Sequence, residues 1–346
     1  MSAGNGRIRS VISGWGHALP KAQVSTDALE ATHGLPAGSL SAATGVQSRY
    51  VASRKAEESQ VTLGLAAARV ALERADVGAD SLDLIIAASA VPQQLIPGTA
   101  PLYQRGLGLG DGRCQVMDVN TTCLSALSAL DIAASFLESG RAQRVLIVSS
   151  ELASCALPWK TDPEVAALFG DGAAAWVVEA GSAETRAGAA EDRGLVGTAF
   201  ASFPSAYEAC QLPVGGTANS PHDDTEAFLE AAFFQMSGEQ LFRLVRGEFA
   251  GFMDGFLNRI GWRTEDVDVF VPHQASPISL LHMARAFRVQ SERYVDITRT
   301  HGNQIAASIP LAFSEARSRG LIKDGARVLM LGTSAGVQFG AAALVA

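Results

Sequence analysis

The chain has 346 residues, 48% of them hydrophobic and 7% aromatic, with a formal net charge of -8. That acidic balance argues against nucleic acid as a partner, and no run of about 18 apolar residues offers a membrane span. The length suits two domains or one large duplicated unit.

The first residues, MSAGNGRIRSVISGWG, lack an apolar signal core and pass directly into a strand pattern, so a cytoplasmic protein is expected. Cys114, Cys123, Cys155 and Cys210 form no CxxC pair, and the histidines show neither HxxxH nor HxH spacing. A disulfide scaffold, a zinc site and any other protein-ligated metal are therefore not expected.

Strand-like and helix-like runs alternate along the first half. SLDLIIAASA (81–90) and QVMDVN (115–120) read as strands, and a helix is predicted from about Cys123 to Gly140. Its apolar face is Leu127, Leu130, Ala134 and Leu137, with Gly140 as the stop. RVLIVSSE (144–151) reads as a further strand, so the class is α/β.

The second half repeats this plan. ALERADVGADSLDLIIAASA (71–90) corresponds without a gap to FLNRIGWRTEDVDVFVPHQA (256–275), and RVLIVSSE corresponds to RVLMLGTS (327–334). The segment MDVNTTCLSALSAL has its counterpart in VDITRTHGNQIAASIPLAF (295–313). A single repeat of this size predicts a duplicated fold, divided as residues 1–178 and 179–346, in which strand ends from both halves converge on one site.

Three residues then stand at matching strand-to-helix junctions: Cys123 in one half, His273 and Asn303 in the other. Singly, each has an ordinary explanation. Cysteine packs in cores, His273 suits a satisfied histidine, and Gly302-Asn303 suits turn chemistry. Together they suit one reaction. A cysteine at a helix start has its thiolate favoured by the dipole and free amides and can hold an acyl group as a thioester. A neutral imidazole and a carboxamide can both donate to a thioester oxygen and stabilise an enolate.

With ATGVQSRY (43–50), DVNTTC, FGDGAAA (169–175), LPVGG (212–216), MSGEQLFRLV (236–245), VPHQAS, HGNQIAASIP and GTSAGVQFGAAAL (332–344) in this order, the chain resembles the β-ketoacyl-(acyl-carrier-protein) synthase III family of the thiolase superfamily. The resemblance implies a thiolase-like fold with two similar halves stacked as five αβαβα layers. It implies Cys123 as nucleophile, His273 and Asn303 as the decarboxylation pair, and backbone amides of Cys123 and Gly336 as the oxyanion hole. Ile96 would reach across a homodimer to bound the partner's acyl pocket, and Arg243 and Arg285 would dock an acidic acyl carrier protein. Substrates would be acyl and malonyl thioesters of coenzyme A or carrier protein, with no metal or redox cofactor.

The departures are specific. Ser39 and Ala43 stand where housekeeping members carry the Trp and Arg that sandwich the coenzyme A adenine. The pattern HQANxR becomes His273-Gln274-Ala275-Ser276-Pro277-Ile278. A carrier-bound or bulkier acyl donor, as in secondary metabolism, is then expected in place of free acetyl-coenzyme A. Transfer of the acyl group to an oxygen or nitrogen nucleophile, and a non-catalytic partner subunit, remain as alternative functions.

Overall fold

The computed structural model of the protein describes residues 9–53, 55, 57–181 and 193–346. Five strands, β1 (Ser10–Ala18), β2 (Leu84–Ala88), β3 (Gln115–Val119), β4 (Arg144–Glu151) and β5 (Gly172–Ala180), form one sheet in the order β1-β5-β4-β2-β3. Here β2 runs parallel to β3 and β4, while β5 is antiparallel to β4 and β1.

A second sheet holds β6 (Gly194–Ser202), β7 (Val269–Pro272), β8 (Arg327–Ser334) and β9 (Gln338–Val345) in the order β7-β8-β9-β6. Its directions copy the first: β7 is parallel to β8, and β9 is antiparallel to β8 and β6. The duplication read from the sequence is thus a duplication of topology. The copy is one strand narrower, because among the described residues nothing longer than an isolated parallel bridge from Phe270 to Tyr294 stands where β3 would lie.

Both faces of each sheet are covered, which explains the near-continuous apolar runs of β2, β4 and β8. Alternate residues of β2 face different layers. Leu84, Ile86 and Ala88 join the central core, while Ile85 and Ala87 pack outward against helix α1 (Gln60–Ala75). Between the sheets lie α2 (Ser125–Glu138) and α5 (Ser308–Ser318). Beyond the second sheet, α3 (Gly238–Ile260) lays Phe249, Met253, Phe256 and Leu257 on Phe270, Leu329 and Phe339, with α4 (Pro277–Ala286) beside it. The layers therefore run α-β-α-β-α.

The α2 face is the one the sequence predicts: Leu127, Leu130, Ala134 and Leu137 are all buried. Each buried leucine contributes about 1.5–3 kcal/mol. The helix proper starts at Ser125, later than read, because Thr122–Leu124 form a separate 3-10 turn. Among the described residues, no helix is long and apolar enough to cross a membrane.

Candidate active site

The start of each central helix is built in the same unusual way. Thr122 and Ile305 have φ of 49° and 48°, a region that β-branched residues rarely enter and that costs about 1–3 kcal/mol. In both cases the asparagine two residues earlier holds the strained amide. Asn120 Oδ1 accepts from the Thr122 N–H at 2.9 Å, and Asn303 Oδ1 accepts from the Ile305 N–H at 2.8 Å. A 3-10 turn follows each time, Thr122–Leu124 and Ile305–Ala307, and then the helix. Position for position, Cys123 therefore corresponds to Ala306, and Asn303 corresponds to Asn120. The two turns pack against each other, so the Cys123 loop meets the loop after Asn303.

Asn303 is held mainly through its backbone. Its N–H donates to the Leu168 carbonyl at 2.8 Å, and its carbonyl accepts from Gly170 N–H at 3.1 Å. Leu168 and the start of the motif FGDGAAA are thus the first half's cradle for Asn303 of the second. Asp171 anchors that cradle, its buried carboxylate accepting from Ala52 N–H, Ser154 N–H and Ser154 Oγ. The Nδ2 of Asn303 reaches only Ala275 O among the described residues, at 3.5 Å, which leaves its hydrogens poorly used.

His273 is 4% exposed and follows β7 directly. Burial pushes its pKa down to about 4, so the imidazole is neutral near pH 7. Nδ1 lies 2.6 Å from Ser308 Oγ, which also accepts from the Gln274 N–H at 3.4 Å. In the tautomer in which Ser308 donates to Nδ1, the ring hydrogen stands on Nε2. Nε2 makes no bond to the described residues and is a free donor. On β8, Gly332 is required by space, since a Cβ there would sit 2.5 Å from the Cβ of His273.

The histidine also sets a pH dependence. Its folded pKa lies below the unfolded value near 6.5, so stability is full above pH 6.5 and lost as pH falls towards 4. Across that window the wild type should lose about 3 kcal/mol more unfolding free energy than His273→Gln. Urea unfolding of both proteins at pH 7 and pH 4 measures the difference, and parallel losses would contradict a buried neutral imidazole.

Cys123 departs from expectation. The sequence reading has a helix start favouring its thiolate, but the net direction is opposite. Burial pushes the thiol well above its ordinary value, and the nearby Cys210 and Glu151 push the same way. Backbone N–H groups of Cys123 and Ala335 offset only part of this. The residue is half-buried as a whole, yet its surroundings are protein-rich enough to disfavour the charge. These influences keep the Cys123 side chain in its thiol form. Thr122 Oγ1 donates to Ala335 O at 3.3 Å and ties this turn to the β8–β9 connection. Gly336 lies in that connection with φ 117°, a conformation open to glycine.

Two contributors escape the sequence. Glu151 ends β4 fully buried, accepts from Ala90 N–H at 2.5 Å and Val91 N–H at 3.5 Å, and has its pKa raised to about 8 by burial. It holds the exit of β2 against the site. Cys210, a second thiol, is pushed up to about 12 by burial. Neither belongs to a spacing pattern that would reveal it.

The remaining expected residues lie apart from this centre. Ile96 is 87% exposed on a loop that also presents Val91 and Leu95. Arg243 on α3 is exposed and paired with Glu239 at 2.7 Å, and Arg285 is exposed in the last turn of α4. Ser276 caps α4 by accepting from Ser279 N–H at 3.1 Å, which gives the HQAS departure a structural use.

Family comparisons bear on the whole chain. The model described as 3-Oxoacyl-[acyl-carrier-protein (ACP)] synthase III C terminal matches residues 257–346, and that described as 3-Oxoacyl-[acyl-carrier-protein (ACP)] synthase III matches residues 117–191. A beta-ketoacyl-[acyl-carrier-protein] synthase III of Bartonella bacilliformis is 33% identical over 96% of this chain and 98% of its own. The chain belongs to the 3-oxoacyl-(acyl-carrier-protein) synthase III family. Solved synthases III agree in fold. That of Pseudomonas aeruginosa gives a TM-score of 0.84 at 29% identity, covering 97% of this chain and 98% of that one. That of Aquifex aeolicus gives 0.84 at 30% identity, covering 97% and 100%. As a synthase III, this protein is a condensing acyltransferase with a thiolase-like fold.

Proposed function

We propose that this synthase III loads an acyl group on Cys123 and extends it with a malonyl group carried on an acyl carrier protein. In the first step the Cys123 sulfur attacks an acyl thioester. The carbon–sulfur bond of the donor breaks, and the thiol proton leaves on the departing thiol. Backbone amides of Cys123 and Gly336 face the oxyanion formed in between. In the second step the malonyl thioester loses carbon dioxide. His273 Nε2–H and Asn303 Nδ2–H donate to the resulting enolate oxygen. The enolate carbon attacks the acyl carbon, the bond to Cys123 breaks, and the sulfur takes a proton from solvent. The raised pKa of Cys123 favours that last protonation. Apart from that solvent proton, every group this scheme uses belongs to the chain or its two substrates, and no metal or redox cofactor enters it.

The observation that carries this reading is a pair of buried nitrogens, His273 Nε2 and Asn303 Nδ2, left weakly engaged beside the turn that bears Cys123 at the start of α2. Two neutral donors suit an enolate, which carries charge only during the reaction.

Arg243 and Arg285 are the carrier contacts. An edge contact of 5.5 Å between Phe242 and His282 holds α3 against α4 and sets the two arginines on neighbouring helices. On a chain of net charge -8 they offer a local cationic surface to an acidic partner. Arg243→Glu with Arg285→Glu should raise KM for carrier-bound malonyl about tenfold, leaving KM for malonyl-coenzyme A within about twofold. Steady-state kinetics with both donors decide it, and equal changes would exclude this surface.

Ile96, with its apolar neighbours Val91 and Leu95, is assigned to a homodimer interface, where it bounds the partner's acyl pocket. Ser39 and Ala43 supply neither a ring nor a charge for an adenine, so the starter is a carrier-bound or bulkier acyl group. A panel of acyl donors, read by intact mass at Cys123, tests this; labelling by acetyl-coenzyme A alone would refute it.

A further inference from the structure

The narrower second sheet leaves a gap beside β7. Phe270 O accepts from Val295 N–H at 2.9 Å, the last backbone rung on that side. In a parallel ladder the next rung takes the N–H of residue 272 to the carbonyl of Val295, and the N–H of Ile297 to the carbonyl of residue 272. Residue 272 is a proline and has no N–H. Left alone, the buried carbonyl of Val295 would lack its donor, at a cost that folded proteins rarely accept.

The carboxamide of Gln274 stands in the gap. Nε2 donates to Val295 O at 3.0 Å and to Pro272 O at 2.7 Å, and Oε1 accepts from Ile297 N–H at 2.9 Å. Both amide hydrogens and the oxygen are used, and the residue is fully buried. A side chain thus does the work of an inserted peptide group. It joins two stretches that each lead to a reacting residue. His273 is its chain neighbour on one side. On the other, Ile297 opens the short helix Thr298–His301, which delivers Gly302 and Asn303.

We infer that Gln274 is a positioning residue for decarboxylation, fixing the spacing of His273 and Asn303 by replacing the ladder rung that Pro272 cannot make. It touches neither substrate nor Cys123. The inference rests on the proposed roles of His273 and Asn303, and the two are separable by experiment. If the wild type releases no carbon dioxide from a malonyl thioester, those roles fail; the behaviour of variants at position 274 bears on the clamp.

The test compares Gln274→Met, which keeps the length but none of the bonds, with Pro272→Ala/Gln274→Met, which returns the missing N–H. Two readouts are taken from each: the rate of Cys123 acylation by intact mass, and carbon dioxide release from a malonyl thioester. In Gln274→Met, acylation should stay within about threefold while decarboxylation falls about 10–100-fold, the scale expected when donors are misplaced by about an ångström. The double variant should recover decarboxylation. Equal losses in both readouts, or no loss in decarboxylation, overturn the assignment. If Gln274→Met does not fold, the double variant decides. Folding with decarboxylation restored supports the rung, whereas a double variant that also fails to fold, or that acylates without decarboxylating, refutes it.

Discussion

Replacing Cys123 by alanine should remove every acyl adduct and lower turnover by about three orders of magnitude or more. The sulfur is the one atom that forms, and later releases, the thioester bond between enzyme and acyl group. Cys210 lies close enough to disfavour the Cys123 thiolate, but burial pushes its own thiol up to about 12, which leaves it a poor nucleophile at neutral pH. The fold should survive, because the change removes one sulfur from a half-buried position. Intact mass after incubation with an acyl donor provides the check. An adduct that persists in Cys123→Ala would move the nucleophile elsewhere.

The second large effect should divide the reaction in two. His273→Ala and Asn303→Ala are each expected to leave Cys123 acylation nearly intact while lowering malonyl decarboxylation by about 10²–10³-fold, the usual result of deleting one preorganised donor. The double variant should be little worse than either single one, because the two donors serve one oxygen. This differs from a general-base role for His273, in which acylation would fall as well. Burial that drives the imidazole pKa to about 4 already favours the donor role, since a base that weak takes few protons at neutral pH.

Much of this arrangement can be read in the chain before folding. The repeat is visible because apolar strands covered on both faces leave long, similar runs, as in RVLIVSSE and RVLMLGTS. Cys123, His273 and Asn303 are visible because polar residues interrupt those runs where a strand ends. What the sequence hides is register and environment. It pairs the cysteine segment with the asparagine segment, but the equivalence of Cys123 with Ala306 and of Asn120 with Asn303 needs the matched φ values at Thr122 and Ile305. No propensity predicts a β-branched residue there.

The sign of the Cys123 shift was hidden for a different reason. A motif shows the helix start, which favours a thiolate, but not the protein packed around it, which disfavours it more. Gln274 is similarly opaque. In the sequence it is one letter of VPHQAS; only the register of Phe270 with Tyr294 shows that Pro272 breaks a rung and that this side chain completes it. The cradle formed by FGDGAAA is a contact between halves, and its residues lie far from Asn303 along the chain.

The central claim is that the acyl group on Cys123 leaves by forming a carbon–carbon bond. The most direct measurement preloads the enzyme with acyl group, adds malonyl carrier protein, and follows three signals in one reaction: loss of the adduct, carbon dioxide release and the acyl product. All three should move together in equal amounts, and the product should be a 3-oxoacyl thioester. An adduct discharged without carbon dioxide, onto an oxygen or nitrogen acceptor, would contradict the claim.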